Sequence, residues 1–171
     1  MITNMKNTIK LFYLVLVAAL AAMQSAHAQL NDAGTDEQRL EHSQVKDSLA
    51  LQGYDPVSYF QGTAAKGSAD QKTTYKGLEF QFVSEENRLE FETNPSKYDP
   101  AYGGWCGYML FRGKRVKPNP ENFIIHNGKL VLFFEGMFGD GQKLWFKAID
   151  KVGEGPMIKQ ADDHWVAYLE K

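Results

Sequence analysis

Cysteine is nearly missing: Cys106 stands alone in 171 residues. A disulfide framework needs pairs of cysteines, and the common zinc motifs need closely spaced thiols, so both are excluded. An excess of positive charge is also missing, with 19 Lys and Arg against 21 Asp and Glu and a formal net charge of −2. General affinity for nucleic acid rests on a basic face laid over phosphates, so this balance argues against such a partner. Nucleotide and nucleophile motifs do not occur. Gly139-Asp140-Gly141 lacks the spacing and the lysine of a phosphate loop, and no serine sits in a nucleophile elbow. No two histidines have the close spacing of a helical metal pair. The apolar run from Leu11 to Met23 is too short for a membrane-spanning helix, which needs about 20 residues. No internal repeat or low-complexity tract stands out.

What is present is ordinary globular material, 43% hydrophobic and 13% aromatic, in the amount expected for one domain. The chain opens with Lys6 and Lys10, then the apolar run, then Ala26-His27-Ala28 before Gln29. Small residues at the minus-three and minus-one positions match a signal-peptidase site. Residues 1–28 are therefore expected to be a cleavable signal peptide. The product is then periplasmic or secreted, with no permanent membrane anchor. Loss of the two lysines leaves 17 basic against 21 acidic residues, a net of −4. Residues 29–47, with Asn31, Asp32, Gly34, Asp36 and Glu37, read as a flexible lead-in that includes His42 and has room for a short helical turn before Leu49. The domain proper is expected over 48–171.

Within it the fold class is α+β: two short β-hairpins packed with three or four helices in a single small domain. Leu78, Phe80 and Phe82 alternate with Glu79 and Gln81, the period of a half-buried strand, after a turn at Lys76-Gly77. Phe123 to His126 and Lys129 to Phe134 flank Asn127-Gly128, the preferred pair for a two-residue hairpin turn. Ser84 caps a helix reaching Thr93, with Glu85 and Glu86 at its positive end. A short helix is expected after Trp105. Leu144, Trp145, Ala148, Ile149 and Val152 form one helical stripe; Ile158, Ala161, Trp165, Tyr168 and Leu169 form another. Asp55-Pro56 reads as a turn, because the residue before proline is biased away from helix.

Several blocks in order resemble the YHS domain family, in its exported branch. They are Gly53-Tyr54-Asp55-Pro56-Val57-Ser58-Tyr59-Phe60, Tyr75-Lys76-Gly77, Phe82 to Arg88, Phe91, Asn94-Pro95, Tyr98 and Gly103-Gly104-Trp105-Cys106. The hairpin and helices through Trp165 extend the likeness over most of the expected mature chain. The resemblance implies metal binding, with a copper ion as the cofactor. Where metal-associated members carry two cysteines, this chain has Ser58 and Val83. Neither side chain supplies the soft thiolate that copper(I) favours.

The remaining candidate is Cys106, after two glycines and among Tyr102, Trp105 and Tyr108. Met109, three residues on, offers a thioether on the same helical face, and His126 offers an imidazole beside the hairpin turn. Cys106, Met109 and His126 are thus the expected metal ligands. The function expected is a non-enzymatic binding module that holds a metal ion or another small ligand near Cys106. The alternative is a thiol-dependent redox enzyme or sensor using the same residue. His164 reads as a core-edge histidine and Asp55 as a turn-setting acceptor. Lys114, Arg115 and Lys117 form a solvated basic run that could also dock an acidic partner.

Overall fold

The computed structural model describes residues 34–137 and 139–171. The expected signal peptide lies outside the described residues. None of the described helices is long and apolar enough to cross a membrane.

The first helix, α1 (Asp36–His42), is fixed by a capping box: the Thr35 hydroxyl accepts from the Gln38 amide, and the Gln38 side chain accepts from the Thr35 amide. The segment expected to be a flexible lead-in is therefore folded from here on. Its buried side chains are polar, which is why no apolar period marks it. Arg39 and His42 are buried, and the Arg39 guanidinium is ion-paired with the equally buried Asp99 carboxylate.

From Ala50 the chain builds one unit twice. Ala50–Gly53 is a single tight turn with left-handed backbone at Leu51 and Gln52 (φ 52° and 56°). Asp55 then caps α2 (Pro56–Phe60), with proline at the first helical position. Proline there lacks only an amide that would have no helical partner, so Asp-Pro starts a helix where the sequence suggested a turn alone. A hairpin follows, β1 (Ser68–Tyr75) and β2 (Leu78–Phe82), joined at Lys76-Gly77 and interrupted by a register shift between Ser68 and Lys72. Helix α3 (Glu85–Thr93), capped by Ser84, closes the unit, and the short α4 (Pro95–Tyr98) ends it.

The same sequence of events recurs at a constant offset of 51 residues, from Ala50 to Ala101 and from Gly53 to Gly104. Ala101–Gly104 is again a left-handed turn, with φ 58° and 57° at Tyr102 and Gly103. Cys106 stands at the cap of α5 (Gly107–Phe111). Strands β3 (Asn119–His126) and β4 (Lys129–Phe133) pair around Asn127-Gly128, with a register shift between Asn119 and Phe123. The two hairpin turns share their backbone: φ is 49° at both Lys76 and Asn127. A miniature pair, β5 (Glu135–Gly136) with β6 (Gly139–Asp140), is inserted before α6 (Gly141–Val152), and α7 (Glu154–Leu169) ends the chain. The α+β class and both expected hairpins are present. The internal repeat, which the sequence does not announce, is a finding of the structure.

Strand β4 lies between two apolar clusters. Leu130 and Leu132 join Val57, Tyr59, Phe80, Phe82 and Phe91 on one side. Val131 and Phe133 join Leu110, Trp145, Met157 and Trp165 on the other. A pleat sends alternate side chains to opposite faces, so a strand buried on both faces reads as a continuous apolar run.

Asp55 is the fully buried joint of the first unit. Its carboxylate accepts from the Val57 and Ser58 amides at 2.8 and 3.3 Å, from the Val83 amide at 2.9 Å and from the Asn87 side chain at 2.6 Å. Asp55→Ala strands three buried donors, on Val57, Ser58 and Asn87, and the part-buried Val83 amide together. Each stranded buried group costs about 1–3 kcal/mol, so urea unfolding should show a loss of at least about 3 kcal/mol. A loss below about 1 kcal/mol would mean the carboxylate is not the joint.

Candidate functional site

Cys106 occupies in the second unit the place that Asp55 holds in the first. The amides of Tyr108, Met109 and Phe134 face its sulfur, as those of Val57, Ser58 and Val83 face the Asp55 carboxylate. None closes a cap hydrogen bond of normal geometry to the sulfur. The backbone around both residues is likewise matched: the Asp55 amide donates to Ala65 at 2.9 Å and the Cys106 amide to Val116 at 3.1 Å.

The sulfur is fully buried, at 0% exposure, in the cluster that holds Phe133 and Trp145. Burial pushes the thiol above its usual range, and the three facing amides only partly oppose it. The thiolate is the reactive form of cysteine and the form that ligates metals, so this environment suppresses both kinds of chemistry.

Of the other expected ligands, Met109 shares the cluster of Cys106, and His126 is engaged at the hairpin tip. Met109 sits at the third position of α5; its amide faces the sulfur and its half-buried side chain joins the second cluster. His126 is at the hairpin tip, where Nε2 meets the Glu154 carboxylate at 2.8 Å and the Asn127 amide group at 3.3 Å. Cys106 bridges to Leu132, whose strand partner is Phe123. His126 is three residues beyond Phe123, about 10 Å along the strand. Metal bonds to nitrogen and sulfur are only about 2.0–2.3 Å long, and the His126 ring is already held by a carboxylate. His164 donates from Nδ1 to the Leu110 carbonyl at 2.9 Å, as a core-edge histidine should. Among the described residues, no three of the His, Cys, Asp and Glu side chains group as a metal site.

Ser58 and Val83 do converge, since their amides share the Asp55 carboxylate. The Ser58 hydroxyl, however, is spent on the Asp55 carbonyl at 2.8 Å and the Ala65 amide at 3.2 Å. Val83 has no donor atom in its side chain, and it is exposed. The residues present therefore do not fit a copper site at either place.

What the sequence reading missed lies on the surface beside Cys106. The exposed Arg115 guanidinium rests 5.7 Å from the Trp105 ring centre and 4.7 Å from that of Tyr168. It donates to Nδ1 of His42 at 3.3 Å, and the Trp105 indole donates to the His42 carbonyl at 2.6 Å. Residue 42, which had no expected role, thus orients both Trp105 and Arg115. The basic run was legible in the sequence; its aromatic companions, 10 residues before and 53 residues after Arg115, were not.

A scan against models of known protein families matches none, and searches of curated proteins and of solved structures also return no match.

The thiol's burial gives a direct test. In the folded protein, Cys106 should react with an aromatic disulfide reagent far more slowly than free glutathione from about pH 7 to 9. Unfolding in urea should restore the ordinary rate. Fast labelling of the native protein at neutral pH would contradict this environment.

Proposed function

We propose that the protein is an exported, non-catalytic binding module of YHS-like construction, whose ligand surface lies beside Cys106 rather than on its sulfur. One observation carries this reading. The residue that would do thiol chemistry is sealed in a core, while its chain neighbour Trp105 supports an outward-facing cation, Arg115.

The leader supports the exported half of the proposal: Lys6, Lys10, the apolar run and Ala26-His27-Ala28 have the order of a cleaved signal. The YHS resemblance is supported by where its blocks fall. Gly53 to Phe60 makes the first left-handed turn and capped helix, Tyr75-Lys76-Gly77 makes the first hairpin tip, and Gly103 to Cys106 makes the second turn. These are the joints of the fold. A likeness carried by joints speaks for shared architecture and leaves the ligand to be argued from the surface.

The proposal is tested with copper(I), supplied as a chelator-buffered complex, and with a thiol reagent. The protein recovered from the periplasm of an expressing host should begin at Gln29. Copper(I) should neither raise its melting temperature nor protect Cys106, and the unfolding free energy of Cys106→Ser should lie within about 2 kcal/mol of the parent's because the site is only modestly altered. Stoichiometric copper(I) binding that disappears in Cys106→Ser would replace this reading with a metal carrier. Rapid oxidation of native Cys106 by a disulfide would replace it with a redox thiol.

A further inference from the structure

The loop after α5 carries Arg112, Lys114, Arg115 and Lys117, all exposed. Among the described residues none of these four has an acidic side chain within ion-pair distance, whereas Lys72, Arg88 and Lys159 elsewhere do. The loop is pinned to the end of α7: the Tyr168 hydroxyl donates to the Gly113 carbonyl at 2.8 Å, and the His164 ring lies against Gly113. Lys171 is also drawn to this place, 5.2 Å from the Tyr168 ring centre. A chain that is acidic as a whole therefore sets four cations without a described acidic partner along one loop, around an arginine that lies close to two aromatic rings.

Such a stack does two things. It fixes a guanidinium that would otherwise lose conformational freedom on binding, and it leaves hydrogen-bond donors along the guanidinium edge for a planar carboxylate. Tryptophan, tyrosine and arginine are also the residues that most often dominate protein interfaces. The face is open surface, and its cations are spread along a loop and a chain end. A single small anion would engage Arg115 and leave the rest unused; an extended chain of carboxylates would engage them together.

We propose that this face, centred on Trp105, Arg115 and Tyr168, docks an acidic polypeptide segment of a partner protein. This rests on the binding-module reading and names its partner class.

The test uses isotope-labelled protein recovered from the periplasm, titrated with an oligoglutamate peptide and, separately, with vesicles containing phosphatidylglycerol. The peptide should shift the Trp105 indole signal and the amides of residues 112–117 and 168–171, with affinity that falls as salt is added. Arg115→Ala should weaken binding at least about tenfold, as a central interface arginine does. Arg115→Lys should recover only part of that loss, because an ammonium lacks the planar fork. Lys72→Ala, on a paired lysine of the other hairpin, should bind like the parent. Melting curves of each variant confirm that folding is retained. Equal binding by the parent and Arg115→Ala would overturn the proposal, as would shifts located away from Trp105. Arg115-dependent binding to vesicles with none to peptide would overturn it in favour of a membrane surface. Arg115-independent binding that still shifts Trp105, or vesicle binding, leaves the binding-module reading standing; that reading fails if the shifts lie away from Trp105 or if Cys106 proves to be the seat of copper or redox chemistry.

Discussion

The fold depends on one local constraint applied twice: a left-handed corner followed at once by a buried capping residue. The corner turns the chain back on itself over four residues, and the cap then gathers amides from the next helix and from the far end of the following hairpin. In the first unit the cap is Asp55, whose two oxygens reach amides at positions 57, 58 and 83. A single side chain thereby fixes the distance between a helix start and a strand end 25 residues later. Buried amides must find acceptors, so any sequence that keeps this corner must place something electron-rich at the cap.

The second unit places sulfur at the same position, where three amides face it without a cap hydrogen bond of normal geometry, and the difference follows from the surroundings. Asp55 has the Asn87 side chain to complete its shell. Cys106 is packed against β4 and the cluster of Trp145, Met157 and Trp165. A carboxylate in that setting would be desolvated without a fourth donor, while a thiol tolerates both the weak donors and the apolar contacts. Gly107 shows how close the packing is: a Cβ there would stand 2.5 Å from a Val131 methyl. The chain's one cysteine is thus accounted for as a buried packing residue at the cap position of α5.

Much of the architecture was legible. Asn127-Gly128 and Lys76-Gly77 announce their hairpins because only certain residues accept positive φ, and Leu78, Phe80 and Phe82 alternate because one face of β2 is buried and the other is not. Ser84 announces α3 for the same local reason, through its bond to the Asn87 amide. The repeat was not legible because the two units share geometry more than residues. Ala50, Gly53, Gly62 and Gly77 recur as Ala101, Gly104, Gly113 and Gly128, but the caps differ, and β4 is apolar from Leu130 to Phe133 where β2 alternates. Helix α1 was legible only as a short helical turn within a lead-in, because it is held by the Arg39–Asp99 ion pair and not by an apolar stripe. The aromatic clamp on Arg115 was missed because its parts are contributed by α1, the second corner, the basic loop and the end of α7.

That clamp shows what the duplication makes available. In the first unit, the aromatic residue after the corner is Tyr54, with Lys66 5.0 Å from its ring centre and its hydroxyl on Glu121 at 3.2 Å. In the second, the matching residue is Trp105, and its cation is Arg115. Each corner delivers an aromatic ring to the surface and sets a cation on it. In the first unit the ring is tied by its hydroxyl to a neighbouring strand, so the arrangement closes within the molecule. In the second, the described acids leave Arg115 unmatched, and α1 and α7 brace it from both sides. A buried cap that needs no exposed chemistry frees the residue beside it, so the surface over Cys106 can differ from that over Asp55 without disturbing the joint beneath.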